Sequence, residues 1–160
     1  MQVFNDFVIL AKDVSVDSKD NMLSIFKIVD KFNFALDSEN YNKFVEESKE
    51  KAVGMPAQYV MSSSWSLDKI TKKNIDAVLV SKLIDPSGKE LASSQNDIVF
   101  TAGSDRVRLN GAVEGIPVTQ NGRYKVEVNV LDKATSKVMC TGSTTYQVSV
   151  DENVDNSMVK

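Results

Sequence analysis

The chain has 160 residues, 42% of them apolar, and a formal charge of -3 from 19 basic and 22 acidic side chains, with no histidine. That length suits one domain with a single core, held without disulfide or structural metal, and the interspersed charges offer no basic face for nucleic acid. The absence of histidine removes His-dependent triads, Cys–His pairs and imidazole metal ligands, and the lone Cys140 has no partner for an internal bridge.

Taken in chain order, the first apolar run is Phe7 to Ala11. It is too short for a signal peptide or a membrane span, and it is flanked by Asp6, Lys12 and Asp13 without a preceding basic residue, so it reads as a buried strand. With no N-x-S/T acceptor either, a cytoplasmic protein is expected. Two strands, about 3–14 and 22–36, are expected to form a hairpin around the polar loop Asp17-Ser18-Lys19-Asp20-Asn21. On the second, Met22, Phe26, Ile28, Phe32, Phe34 and Leu36 share one face, with a bulge or break near Asp30-Lys31. Because Phe7, Val8, Ile9 and Leu10 are consecutive, the first strand presents apolar side chains on both faces, and something has to cover the second one.

The segment 39–53 is the only one with helical spacing. Tyr41, Phe44, Val45 and Ala52 recur at helical intervals, Asp37 or Ser38 can cap the start, and Gly54 and Pro56 are expected to end it. Its stripe suits a cover for the exposed sheet face, although Tyr41 and Phe44 are also candidates for contact with a partner. Beyond it, Ala57, Tyr59, Met61, Trp65 and Leu67 alternate with polar residues, and Trp65 reads as a core anchor. Ile75 to Ile84 is a nearly continuous apolar strand stopping at the turn Asp85-Pro86-Ser87-Gly88. A short strand at 98–101 follows, and then Val107, Leu109 and Val113 alternate with Arg106, Arg108 and Glu114. Near the C-terminus Tyr124, Val126, Val128 and Val130 share one face of a strand. Val138, Cys140, Tyr146, Val148 and Val150 share one face of the last, which makes Cys140 an inert core residue. Residues 1–150 thus form the domain, and 151–160, where alternation is lost, are expected to be a mobile tail. About eight strands with turns and no crossover helices imply an antiparallel sandwich.

Three segments, FVILAKDVSVDSKDNMLSIFKIVDKFNF, LIDPSGKEL and NGRYKVEVNVL, resemble a family of short bacterial proteins described only as a domain of unknown function. The resemblance implies an immunoglobulin-like β-sandwich and carries over no activity. Ser24 stands where that family tends to have glycine, and Asp37 to Met55 looks like an insertion, so the helix would be this chain's own addition. Tyr124, just after Asn121-Gly122, fits either a tyrosine corner, whose hydroxyl bonds the backbone at a strand crossover, or a core tyrosine with its hydroxyl at the sheet end.

Candidate chemistry is sparse. Ser66 with Lys69, and Ser24 with Lys27, match S-x-x-K spacing, but no companion S-D-N or K-T-G occurs, nor any G-x-S-x-G, P-loop or dinucleotide-binding pattern. Asp13, Asp17, Asp20 and Asn21 could offer hard oxygen ligands to calcium; the EF-hand spacing is absent, and a polar hairpin turn accounts for the same residues. Lys69, Lys72 and Lys73 form the one compact basic cluster, read as a solvated loop or as a contact for an acidic partner or lipid headgroup. The expected protein is therefore a non-catalytic interaction module without cofactor, binding a protein partner or a second copy of itself. An enzyme built on carboxylates and lysines, or a calcium- or lipid-binding module, is the alternative.

Overall fold

The computed structural model describes residues 1–20 and 22–153. It holds nine strands, β1 (Val3–Val16), β2 (Leu23–Ile28), β3 (Lys31–Leu36), β4 (Val53–Leu67), β5 (Ile75–Ile84), β6 (Glu90–Phe100), β7 (Arg106–Val118), β8 (Gly122–Asp132) and β9 (Val138–Glu152), with one helix, α1 (Ser38–Glu47). They form two sheets, ordered β2-β1-β4-β7 and β3-β9-β8-β5-β6, which face each other as an immunoglobulin-like sandwich.

The core between the sheets is filled by the alternating faces expected of them. Trp65, Leu79, Phe100, Tyr124, Val128, Tyr146 and Val148 are essentially without solvent contact, and Trp65 donates its indole N–H to Ser63 Oγ at 3.2 Å. Between the sheets the Asn5 side chain lies on the backbone of Gly142: a Cβ there would stand 2.5 Å from Asn5 Cγ. Gly122 is required for a similar reason, with φ 144° and the ring of Pro86 2.8 Å from where its Cβ would be.

Three expectations about elements need correction. The break expected near Asp30-Lys31 is there, but it separates two strands that lie in different sheets, where one strand was expected. Val29 N–H still donates to Leu10 in the first sheet at 2.8 Å, while Asp30 C=O already accepts from Gln147 in the second at 2.8 Å, so the chain crosses between them. Because it keeps its direction on crossing, β3 pairs with β9 in parallel, and the sandwich is not wholly antiparallel. A positive φ falls on Lys27, at 55°, just before this crossing. The helix ends at Glu47, earlier than expected: Asp37 caps it by accepting from Asn40 N–H at 2.8 Å, but 48–51 offer no apolar stripe, and Val53 onward pairs with β7. Pro56 is tolerated in β4 because it sits at a bulge where only β7 lies alongside. β6 is eleven residues long because its polar middle lies at a sheet edge, where little apolar signal is required.

Two burial expectations also fail. Cys140 is half-buried and Val138 is exposed, because the β8–β9 register shifts at Val130/Leu131 near the end of the sheet. The α1 stripe does not cover the outer face of β1. The helix carries the chain from β3 to β4 across one end of the sandwich, lies against β3 and β9, and drops Phe44 into the core, with Tyr41 and Val45 packed beside it. Phe44 is thus a core residue and not a displayed contact. At the C-terminus, Asp151 and Glu152 belong to β9, so the strand runs two residues into the expected tail; residues 154–160 of that tail lie outside the described residues.

Of the two readings of Tyr124, the tyrosine corner is the one the structure shows. Tyr124, at the start of β8, accepts at its hydroxyl from Thr119 N–H (3.0 Å) and Gln120 N–H (3.2 Å) and donates to Gln120 C=O (2.8 Å). Asp85, nearly buried in the neighbouring β5–β6 turn, accepts from Thr119 Oγ1 at 2.9 Å and joins the two connections.

Candidate protein-binding surface

β1 changes partners midway. Residues Val3 to Ala11 pair with β4, and from Ala11 to Val16 the strand pairs with β2 instead, so that β1 and β2 continue as a two-stranded arm that leaves β4. This arm, and not the helix, stands across from the outer face of the first sheet. Met22, Leu23 and Ile25 on the arm, with Asp6, Phe7, Ser64, Arg106 and Arg108 on the sheet, enclose a cleft of about 540 Å³.

The polar floor of the cleft follows from one irregularity. Between Asn5 and Phe7 the β1–β4 register shifts, leaving Asp6 as an extra residue that the bulge turns onto the outer face. Its carboxylate accepts from Ser64 Oγ and Ser66 Oγ, each at 2.7 Å, and pairs with Arg106 Nε at 3.3 Å. Two hydroxyls and a guanidinium thus converge on one carboxylate. The pair is partly solvated, which keeps its contribution to stability small, but the arrangement holds the Arg106 guanidinium in one orientation. Arg108 lines the same cleft two residues on along β7. The Ser64 and Ser66 hydroxyls thus donate to a carboxylate already engaged by arginine, a geometry that serves positioning.

The arm is also where exposed apolar surface gathers. Val16, Met22, Phe26 and Ile28 are large, exposed side chains on it, Ile28 retaining 66% of its accessible surface. The even face of β2 was expected to be buried. It is open because Leu23 and Ile25 turn toward the cleft, which leaves Phe26 on the opposite face of the arm.

The candidate residues read from the sequence do not assemble here. Asp17 accepts from Lys19 N–H at 2.7 Å, and Asp20 from Met22 N–H at 3.0 Å, so both shape the arm's own turn. Asp13 accepts from Val14 N–H at 2.8 Å, and Asn21 lies outside the described residues. Among the described residues no three acidic or cysteine side chains are grouped to hold a metal ion. Lys69, Lys72 and Lys73 are exposed in the β4–β5 loop, which is tied down through Gly103 N–H to Thr71 C=O and Ala102 N–H to Asn74 Oδ1, each at 2.9 Å. Of the S-x-x-K pairs, Ser66 is engaged with Asp6. What sequence reading missed is Asp6, Arg106 and Arg108. The available signal was that two of the chain's three arginines lie two apart on the polar face of one strand.

No protein-family model and no curated protein sequence matches the chain. Among solved structures it is similar to a calcium-binding mutant of β-glucuronidase 2 from Bacteroides uniformis, at 11% identity and a TM-score of 0.47, over 62% of this chain and 12% of that one. It is similar also to a glycosyl hydrolase family 2 member from Bacteroides cellulosilyticus, at 14% identity and a TM-score of 0.46, over 60% of this chain and 13% of that one. A third likeness is to the alkylpurine DNA glycosylase AlkC of Pseudomonas fluorescens bound to abasic-site DNA, at 11% identity and a TM-score of 0.43, over 89% of this chain and 30% of that one. No helix among the described residues is long and apolar enough to cross a membrane.

Proposed function

We propose that the chain is a non-catalytic, cytoplasmic binding module of the bacterial immunoglobulin-like family it resembles, and that it engages a protein partner through the β1–β2 arm and the cleft beneath it. The observation that carries this reading is the exposure of Val16, Met22, Phe26 and Ile28 on one two-stranded arm, of which Met22 lines the cleft with Arg106 and Arg108. Contiguous exposed apolar surface marks interaction sites, and aromatic residues, methionine and arginine are enriched at the centre of protein interfaces. Arg106, oriented by Asp6, suits an acidic group on the partner, and the arm supplies the apolar contact around it.

The test is crosslinking in the source organism, with identification of the crosslinked protein and purification of the complex. Phe26→Asp with Ile28→Asp, and separately Arg106→Ala with Arg108→Ala, are expected to lose that partner while keeping the wild-type melting temperature. Val99→Asp, at an exposed apolar position on β6, is expected to keep it. Retention of the partner by both arm and cleft variants sinks the reading. Sedimentation of the purified wild type shows whether the partner is a second copy of the chain.

A further inference from the structure

β6 and β7 are the last strands of their sheets, and both lie on the same flank of the sandwich. Between them a slot of about 200 Å³ opens into the interior, walled by Tyr59, Met61, Leu83, Val113 and Val126. It exists because the residues that would close it are small. Ala92 and Ser94 of β6 stand directly beside Leu83 and Ser81 of β5, and Gly115 of β7, at φ 75°, has no side chain.

Ser81 lines this slot. Its residue retains 7% of its accessible surface, and its hydroxyl has no hydrogen-bond partner. On the same inward face of β5, Ala77 and Leu79 are buried and apolar, so the hydroxyl interrupts an otherwise apolar stripe where the slot reaches it. A buried polar atom left unpaired costs about 1–3 kcal/mol, and such atoms call for a functional account. The other buried side-chain atom without a partner among the described residues, the Tyr146 hydroxyl, does not line the slot.

We propose that the slot binds a small, uncharged, mostly apolar molecule, a single ring or a chain of similar bulk with one polar group, which hydrogen-bonds Ser81 Oγ. The size follows from volume: an apolar cavity of about 150 Å³ takes benzene, so this slot takes a ring and a substituent. Neutrality follows from the walls. The phenol of Tyr59, pushed up to about 12 by burial, stays protonated, and the ammonium of Lys82 is held by Glu90 Oε2 at 2.8 Å.

The test titrates the full chain with p-cresol and with toluene, which differ by one hydroxyl, and follows amide chemical shifts. Both probes are expected to give saturable shifts at Ser81, Leu83, Val113 and Val126, with p-cresol binding about three- to tenfold more tightly, the worth of one hydrogen bond. Ser81→Ala should abolish that preference while leaving toluene binding intact. Ala92→Leu, at an exposed position that leaves the core untouched, should block both probes. Absence of saturable shifts at millimolar probe, equal affinity of the wild type for the two, or persistence of the preference in Ser81→Ala overturns the proposal.

Discussion

Asp85 concentrates several of the fold's requirements in one side chain. Its Oδ1 accepts from Ser87 N–H and Lys89 N–H, each at 2.9 Å, and from Ser87 Oγ at 2.6 Å, which closes the β5–β6 turn. Its Oδ2 reaches Thr119 and so the tyrosine corner. Burial by itself would push the carboxyl up; the hydrogen bonds from Ser87, Lys89 and Thr119 more than offset this and hold it below its ordinary value of 3.8. A depressed folded value means that the stabilisation is complete above the unfolded value and is lost as pH falls through the folded one. Asp85→Asn is therefore expected to cost about 1.5–3 kcal/mol at pH 7, the range for hydrogen bonds to a charged group. In urea titrations the gap between variant and wild type should narrow as pH drops below about 4. A gap that stays constant or widens on acidification would mean that the carboxylate's charge is not what the turn requires.

Elements were legible where a strand has one wet face and one buried face, and were lost where that condition fails. β5 and β8 were placed to within two residues because their alternation faces a full opposing layer, and Tyr124 could be suspected from its place after Asn121-Gly122. By contrast, the even face of β2 has the composition of a core and the exposure of a surface, which alternation alone cannot separate. β6 is polar in its middle because it borders an open flank, and the cleft depends on a bulge at Asp6 that no periodicity announces. The helix was found for the right reason, its apolar stripe, but that stripe does not say which surface it meets. Phe44 now decides the point. It retains 7% of its surface and is the buried anchor of α1, so Phe44→Ala is expected to cost about 3 kcal/mol and to lower helicity. Phe44→Leu should cost less than about 1.5 kcal/mol. Should Phe44→Ala melt like the wild type in circular dichroism, the helix is not fastened to the sandwich, and a role in recognition returns.

At the scale of the whole molecule, the two sheets share one core, so the sandwich should unfold as a unit. Val128 tests this most directly. It lies fully buried on β8, flanked in register by Ser81 on β5 and Gly142 on β9. Small neighbours leave some room for an aspartate, and Ser81 could offer it one donor, but one hydrogen bond does not compensate for a carboxylate removed from water. The expected cost of Val128→Asp is about 3–5 kcal/mol, the penalty for an uncompensated buried charge, against a total of about 5–15 kcal/mol for a domain. Trp65 stands in the other sheet, on β4, and reports independently of β8. If the core is shared, indole emission and far-ultraviolet circular dichroism will shift together to lower denaturant in the variant, with one midpoint for both. A variant in which β structure is lost while Trp65 keeps its native emission would show that the β2-β1-β4-β7 sheet holds together without its partner. An unchanged midpoint would mean that position 128 does not face the core.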